Sequence, residues 1–289
     1  MKASIRIRHA IAGLALLAAL PVLAQERIDI RFHATVGDRP LACGERYSAV
    51  GASKTDIAIA DFRLFISKVE LVRADGTAVP FALEQDGVWQ HQDLALLDFE
   101  DGSGSCNIGT QGTRHIVRGT APAGRYQGVR FTLGVPPLLN HSDPTIAPSP
   151  LNLTAMFWSW QAGYKFLKLD LAPVRDAKVS ASPTQAFSFH VGSTGCMGGA
   201  RGGEMPRCAN PNRVTIALDK FDPQRDTVTV DVGALLAQTR LDANTPKTPA
   251  GCMAFPKDAD CNEVMPRLGL AYDEHPAQKQ VLFSVRRMP

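Results

Sequence analysis

The chain has 289 residues, 45% hydrophobic and 20% charged, with a formal net charge of +3. Three basic residues near the start, Lys2, Arg6 and Arg8, account for that excess: without them 28 basic residues face 28 acidic ones. A balanced remainder has no surplus of cations to track a phosphate backbone, which excludes nucleic acid as a partner.

Behind those three cations comes an apolar run from Ile11 to Leu20, then Val22-Leu23-Ala24, a small-residue cleavage site. This is the pattern of a secretory signal. No cysteine follows the cut, so no lipid anchor is expected, and no later apolar run reaches the ~20 residues that cross a bilayer. The expectation is a signal peptide over 1–24 and a single domain over 25–289, soluble and exported. A core of that size stands without metal, so a metal would serve function and not folding.

Residues 27–36 alternate Ile28, Ile30, Phe32 and Ala34 with Arg31 and His33, which predicts a half-buried strand with His33 pointing outward as a solvated histidine. Residues 56–72 continue the alternation through Ile57, Ile59, Phe62, Leu64, Ile66, Val69 and Leu71. The pattern slips once near Asp61, which predicts a bulge. Short strands follow at 79–83, 94–99, 113–118 and 126–135, divided by glycine-rich turns. Residues 136–150 hold too many prolines for a central strand and form a long loop containing Asn140, His141 and Asp143. Long loops of this kind tend to be functional.

Two further strands are predicted at 153–160 and 163–171. In the first, Trp158 and Trp160 share a face if the segment is extended. In the second, Leu167, Leu169 and Leu171 lie opposite Tyr164, Phe166 and Lys168. Phe187, Phe189 and Val191 alternate with Ser188 and His190, so His190 lies opposite two phenylalanines. Strands at 214–218, 227–232 and 281–285 complete the set, with helices only at 232–240 and 263–268. The fold class is all-β, an antiparallel β-sandwich or related barrel with long loops and few short helices.

Six cysteines in an exported chain form an even set, consistent with three disulfides, although sequence alone permits many pairings. Local spacing favours Cys196 with Cys208 and Cys252 with Cys261, leaving Cys43 for Cys106. No CxxC is present, and an oxidising compartment favours bridges over thiolate ligands. Ser188 and Ser193 lie near His190 without a GxSxG or a carboxylate to complete a triad. The Gly198–Gly203 stretch lacks the strand-to-helix context of a phosphate loop.

The strings NHSDP, MFWSWQAGYKF, FHVGSTGC and the late GCM with its following cysteine resemble the MbnP-like proteins, the metallo-mystery pair four-Cys motif family. The resemblance runs from about Ile28 to the end. It implies a periplasmic copper-binding protein that is not an enzyme but the substrate of one, a diheme cytochrome c peroxidase-like (MbnH-like) partner that oxidises a tryptophan to kynurenine. On the matching motifs the copper role falls to His141 and His190 and the oxidised residue to Trp158 or Trp160, with Asp143 as a ligand or as an acceptor orienting His141. An intact indole offers only a donor N–H, whereas opening its ring exposes an aryl amine and a carbonyl. Without the resemblance, the paired tryptophans fit a β-sandwich binding module that stacks on a sugar or peptide, or simply core packing.

Overall fold

The computed structural model describes residues 24–159, 161–174, 186–198 and 206–287. The predicted signal peptide up to residue 23, Trp160 and the centre of the glycine-rich loop lie outside the described residues.

Gln25–Val36 is a strand because its apolar side chains alternate into the core, Ile28, Ile30, Phe32 and Ala34 being buried while Asp29, Arg31 and His33 stay half-buried. It pairs with Ile116–Pro122 antiparallel and with Asp226–Asp231 parallel; Phe283–Arg287 and Ala82–Leu83 flank these. A second, larger sheet is built on Thr55–Arg73, a 19-residue central strand. Tyr126–Leu133 and then Val214–Asp219 lie on one side of it. On the other side are Gly163–Pro173, Phe187–Gly192 and Gly251–Cys252. The two sheets enclose one apolar layer and make an all-β sandwich, mostly antiparallel, with only two short α-helices among the described residues.

The bulge predicted near Asp61 is present: the pairing steps from Asp61 opposite Asp170 to Ile59 opposite Leu171, leaving Ala60 unpaired in the register. Its consequence is that Ile57 and Ile59 face the same core as Phe62 and Leu64 despite the odd spacing. Where 153–160 predicts one strand, Thr154–Met156 is a 3-10 turn and only Phe157–Ser159 is extended. Met156 there turns into a separate apolar cluster, and tertiary packing overrides the β pattern. The helix predicted over 232–240 stops at Leu236. Its start is well marked, since Asp231 Oδ1 accepts from Ala234 N at 3.0 Å. Two parallel pairings, Gln25–Val36 with Asp226–Asp231 and Phe187–Gly192 with Gly251–Cys252, join segments far apart in sequence and leave no local signature.

That separate cluster covers part of the outer face of the large sheet. Phe65, Leu94, Leu96, Val135, Leu151, Met156, Tyr164 and Phe166 form it under the 136–150 loop. The disulfides are Cys43–Cys106, Cys196–Cys208 and Cys252–Cys261, the pairing that spacing favoured, and no cysteine is free. Cys196 and Cys208 also bridge a small hairpin of their own, Thr194–Met197 with Arg207–Asn210.

Candidate metal centre

With Phe62, Leu64, Leu167, Leu169, Phe189 and Val191 turned into the sandwich, period two sends the intervening residues to the outer face. One row across three strands reads Arg63, Lys168, His190; the next reads Asp61, Asp170, Ser188. Polar residues in strands that are otherwise apolar thus converge on a single patch.

The patch is a continuous ladder of ion pairs. Arg63 bonds Glu100 and sits 3.3 Å from Asp98 and 3.2 Å from Asp61. Asp61 bonds Lys168, Lys168 Nζ lies 2.9 Å from Asp170 Oδ2, and Asp170 Oδ1 meets His190 Nε2 at 2.7 Å. Arg63, Asp61, Asp98 and Glu100 are each no more than 1% exposed, and His190 is 8% exposed. Taking such charges out of water costs several kcal/mol per ion before pairing recovers it. Four carboxylates share the patch with Arg63 and Lys168, and Lys165 adds a third cation within electrostatic reach of Asp170 and His190.

Burial sets the protonation states. Desolvation pushes the Asp98 carboxyl up to about 7 against the pull of Arg63, with Glu100 adding to the rise. Desolvation also pushes His190 down, and the Asp170 hydrogen bond only partly restores it. The imidazole is therefore neutral at neutral pH. Burial would raise Asp170 too, but its bond to His190, the charge His190 takes on in acid and the charge of Lys168 outweigh that and hold it well below the usual carboxylate range. An ionised carboxylate only accepts, so Nε2 of His190 carries the proton and Nδ1 keeps its lone pair. This is the arrangement in which a carboxylate orients a histidine for metal.

Two residues along the same strand, Gly192 receives the edge of Trp158: a Cβ there would lie 2.7 Å from Trp158 Cζ3 and 2.6 Å from Tyr164 O. Only glycine fits. Trp158 is half-buried, its ring tilted against Phe255 at 5.5 Å between centroids. With one edge on Gly192 and a face on Phe255, it is not a free stacking platform.

The 136–150 loop is pinned by Asn140. Its Oδ1 accepts from Tyr164 N at 3.1 Å, and its Nδ2 reaches Ser193 Oγ at 3.4 Å and His141 Nε2 at 3.2 Å. Gly163, at φ +80°, makes the approach possible, because a Cβ would stand 2.2 Å from Asn140 O. His141 Nε2 lies 3.8 Å from Cys208 Sγ, and the donor atoms of His141, Cys196 and Cys208 all fall within 4.8 Å of one another. Asp143 is exposed, its Oδ1 accepting from Thr145 N at 2.9 Å and Oγ1 at 2.7 Å.

Of the residues that the sequence marked, Trp158 and His190 thus share one face of the large sheet. His141 sits beside the Cys196–Cys208 bridge, and Asn140 and Ser193 tie its loop to the backbone just past His190. Sequence reasoning missed Asp170, Asp61 and Arg63. Their signal was present as charged residues alternating with leucines and phenylalanines inside long strands.

A family profile described as MbnP matches residues 25–254. No curated protein matches the sequence. Among solved structures, "MbnP from Methylosinus trichosporium" is similar, with 30% identity and a TM-score of 0.81 over 92% of this chain and 100% of that one.

Proposed function

The chain belongs to the MbnP family, and on that premise we propose that it is a periplasmic, non-enzymatic copper-binding protein and the substrate of a diheme cytochrome c peroxidase-like enzyme. His190 offers copper its Nδ1 and His141 a second imidazole. Trp158 or Trp160, oxidised by the partner to kynurenine, adds the aryl amine and carbonyl that an intact indole lacks. Nitrogen donors of this kind suit copper, which tops the divalent affinity order.

The observation that carries this reading is the His190–Asp170 clamp. A neutral, buried imidazole whose Nε2 is held at 2.7 Å by an ionised carboxylate keeps its other nitrogen ready for a metal. Asp170 orients the ring, and Lys168 holds Asp170 in place. Gly192 seats Trp158 on the same face. The bond from Asn140 to Ser193 draws the loop of His141 toward that strand.

Copper titration of protein taken from its native host tests the proposal directly. His190→Ala abolishes binding and His141→Ala weakens it strongly, while His33→Ala and His275→Ala leave it unchanged. Intact-mass measurement before and after treatment with the partner and peroxide reads the tryptophan oxidation, with Trp158→Phe and Trp160→Phe separating the two positions. Unchanged copper affinity in the His190 variant would overturn the assignment.

A further inference from the structure

Among the described residues one group of three metal-donor side chains gathers its atoms within 4.8 Å, and two of the three are tied up in a disulfide: His141, Cys196 and Cys208. A disulfide has no thiolate to offer a metal. We propose that reduction of the Cys196–Cys208 bridge by an external dithiol turns this corner into a three-donor site for Cu(I), two thiolates and the His141 imidazole. The proposal shares His141 with the copper reading above and otherwise stands apart from it.

The chemistry balances without a cofactor. A thiolate of the dithiol attacks one sulfur of the bridge, and the second thiol of the same molecule resolves the mixed disulfide. The dithiol leaves oxidised, having passed two electrons and two protons to Cys196 and Cys208. Cu(I) then displaces those two protons. Soft thiolate ligands select Cu(I), and imidazole is compatible with it.

The hairpin keeps the ligands in place once the bond is cut. Cys196 and Cys208 are direct partners across its two strands, with Thr194 opposite Asn210 on one side and Met197 opposite Arg207 on the other. Their Cα atoms are 3.7 Å apart. Thr194 Oγ1 further donates to Ala254 O at 3.3 Å and accepts from Asn210 Nδ2 at 3.2 Å. On the third side, Asn140 and Gly163 fix the loop that carries His141. Cutting the bridge therefore frees two sulfurs without scattering them.

Access and charge point the same way. A recess of about 170 Å³ opens on the corner, lined by Asn140, His141, Ser193, Cys208 and Arg213. Arg213 lines the same recess, its Nε and Nη2 buried without a hydrogen-bond partner, and a positive charge sharing the recess favours thiolates over thiols. The Cys252–Cys261 bridge has both residues fully buried, whereas Cys208 is only half-buried. Reductant thus has a route to Cys208 that it lacks to Cys252.

The test uses the mature full-length protein under anaerobic conditions. Each sample is treated with dithiothreitol, desalted and titrated with Cu(I) against a chromophoric chelator, and alkylation with mass mapping reports which cysteines are open. Because His141 serves one copper at a time, the expected result is a Cu(I) equivalent held through sulfur in the reduced protein alone, with an ultraviolet thiolate-to-copper band and Cys196 and Cys208 as the residues that copper protects from alkylation. His141→Ala should weaken that sulfur-bound Cu(I) by roughly 10- to 100-fold, at least the loss seen when supporting residues of metal sites are removed. Cys208→Ser should abolish it, and if that variant misfolds, the difference between oxidised and reduced wild type remains decisive. No thiolate-to-copper band on reduction, or copper protection at another cysteine pair instead, overturns the proposal. If oxidised protein fails to bind copper while the reduced form binds Cu(I) through Cys196 and Cys208, the copper role proposed for His190 fails and this site stands.

Discussion

The large sheet has two faces made by the same strands, and they are opposites. Inward, Phe62, Leu64, Leu167, Leu169, Phe189 and Val191 pack against the second sheet in one apolar layer. Outward, the very next residues, Asp61, Arg63, Lys168, Asp170 and His190, form an ion ladder that is nearly as dry. Buried ion pairs can often be replaced by hydrophobic residues at no loss of stability. A ladder on one face only, beginning in carboxylates and ending in a neutral imidazole, is better understood through what it holds ready than through what it stabilises.

The two faces should therefore fail differently when cut. Arg63→Ala strips the counter-charge from Asp61, Asp98 and Glu100 at once and should destabilise the fold by about 3–5 kcal/mol, the range for breaking a buried pair; denaturant unfolding measures it. Leu169→Ala on the inner face should cost about 2–5 kcal/mol by lost transfer and a residual cavity, but leave copper affinity as it was. Smaller again is Gly192→Ala, whose Cβ meets both the Trp158 edge and a backbone carbonyl. Overpacking of this kind costs typically ~1–3 kcal/mol, and the displaced indole should change the tryptophan fluorescence.

The faces should also respond differently to pH. Asp98 has its carboxyl raised to about 7 in the folded state, above the ~3.9 of an unfolded chain. Its contribution is fully present below about pH 4 and is lost as pH rises through about 7. Asp170, held low by His190 and Lys168, works with the opposite sign: its contribution is present above about pH 4 and is lost in more acid solution. Between about pH 4 and 7 wild type should thus lose stability relative to Asp98→Asn, whereas Leu169→Ala should run parallel to wild type throughout. Chemical denaturation across that window checks both.

Much of the inner face was legible from sequence, because alternation of apolar residues is what places a side chain in a sandwich core. Even the bulge at Ala60 announced itself as a slip in that alternation near Asp61. The site was legible only in part. His190, His141 and Trp158 stood out as residue types, but Asp170 and Arg63 looked like ordinary solvated positions, since nothing local says that Asp98 and Glu100 will close on Arg63 or that Lys168 and His190 will pair with Asp170. The hairpin carrying Cys196 and Cys208 was missed because strands of four residues give too few alternations to detect. Parallel partners such as Gly251–Cys252 owe their pairing to the whole topology.

The claim that most needs testing is that the outer ladder exists to present His190 to copper. Copper affinity of Asp170→Asn, measured beside Leu169→Ala on protein processed in the native host, addresses it most directly. Asparagine keeps the shape but removes the ionised acceptor that fixes the ring, so Asp170→Asn should bind copper roughly 10- to 100-fold more weakly while Leu169→Ala binds as wild type does. Equal affinity in Asp170→Asn and wild type would contradict it and leave the ladder as a structural feature alone.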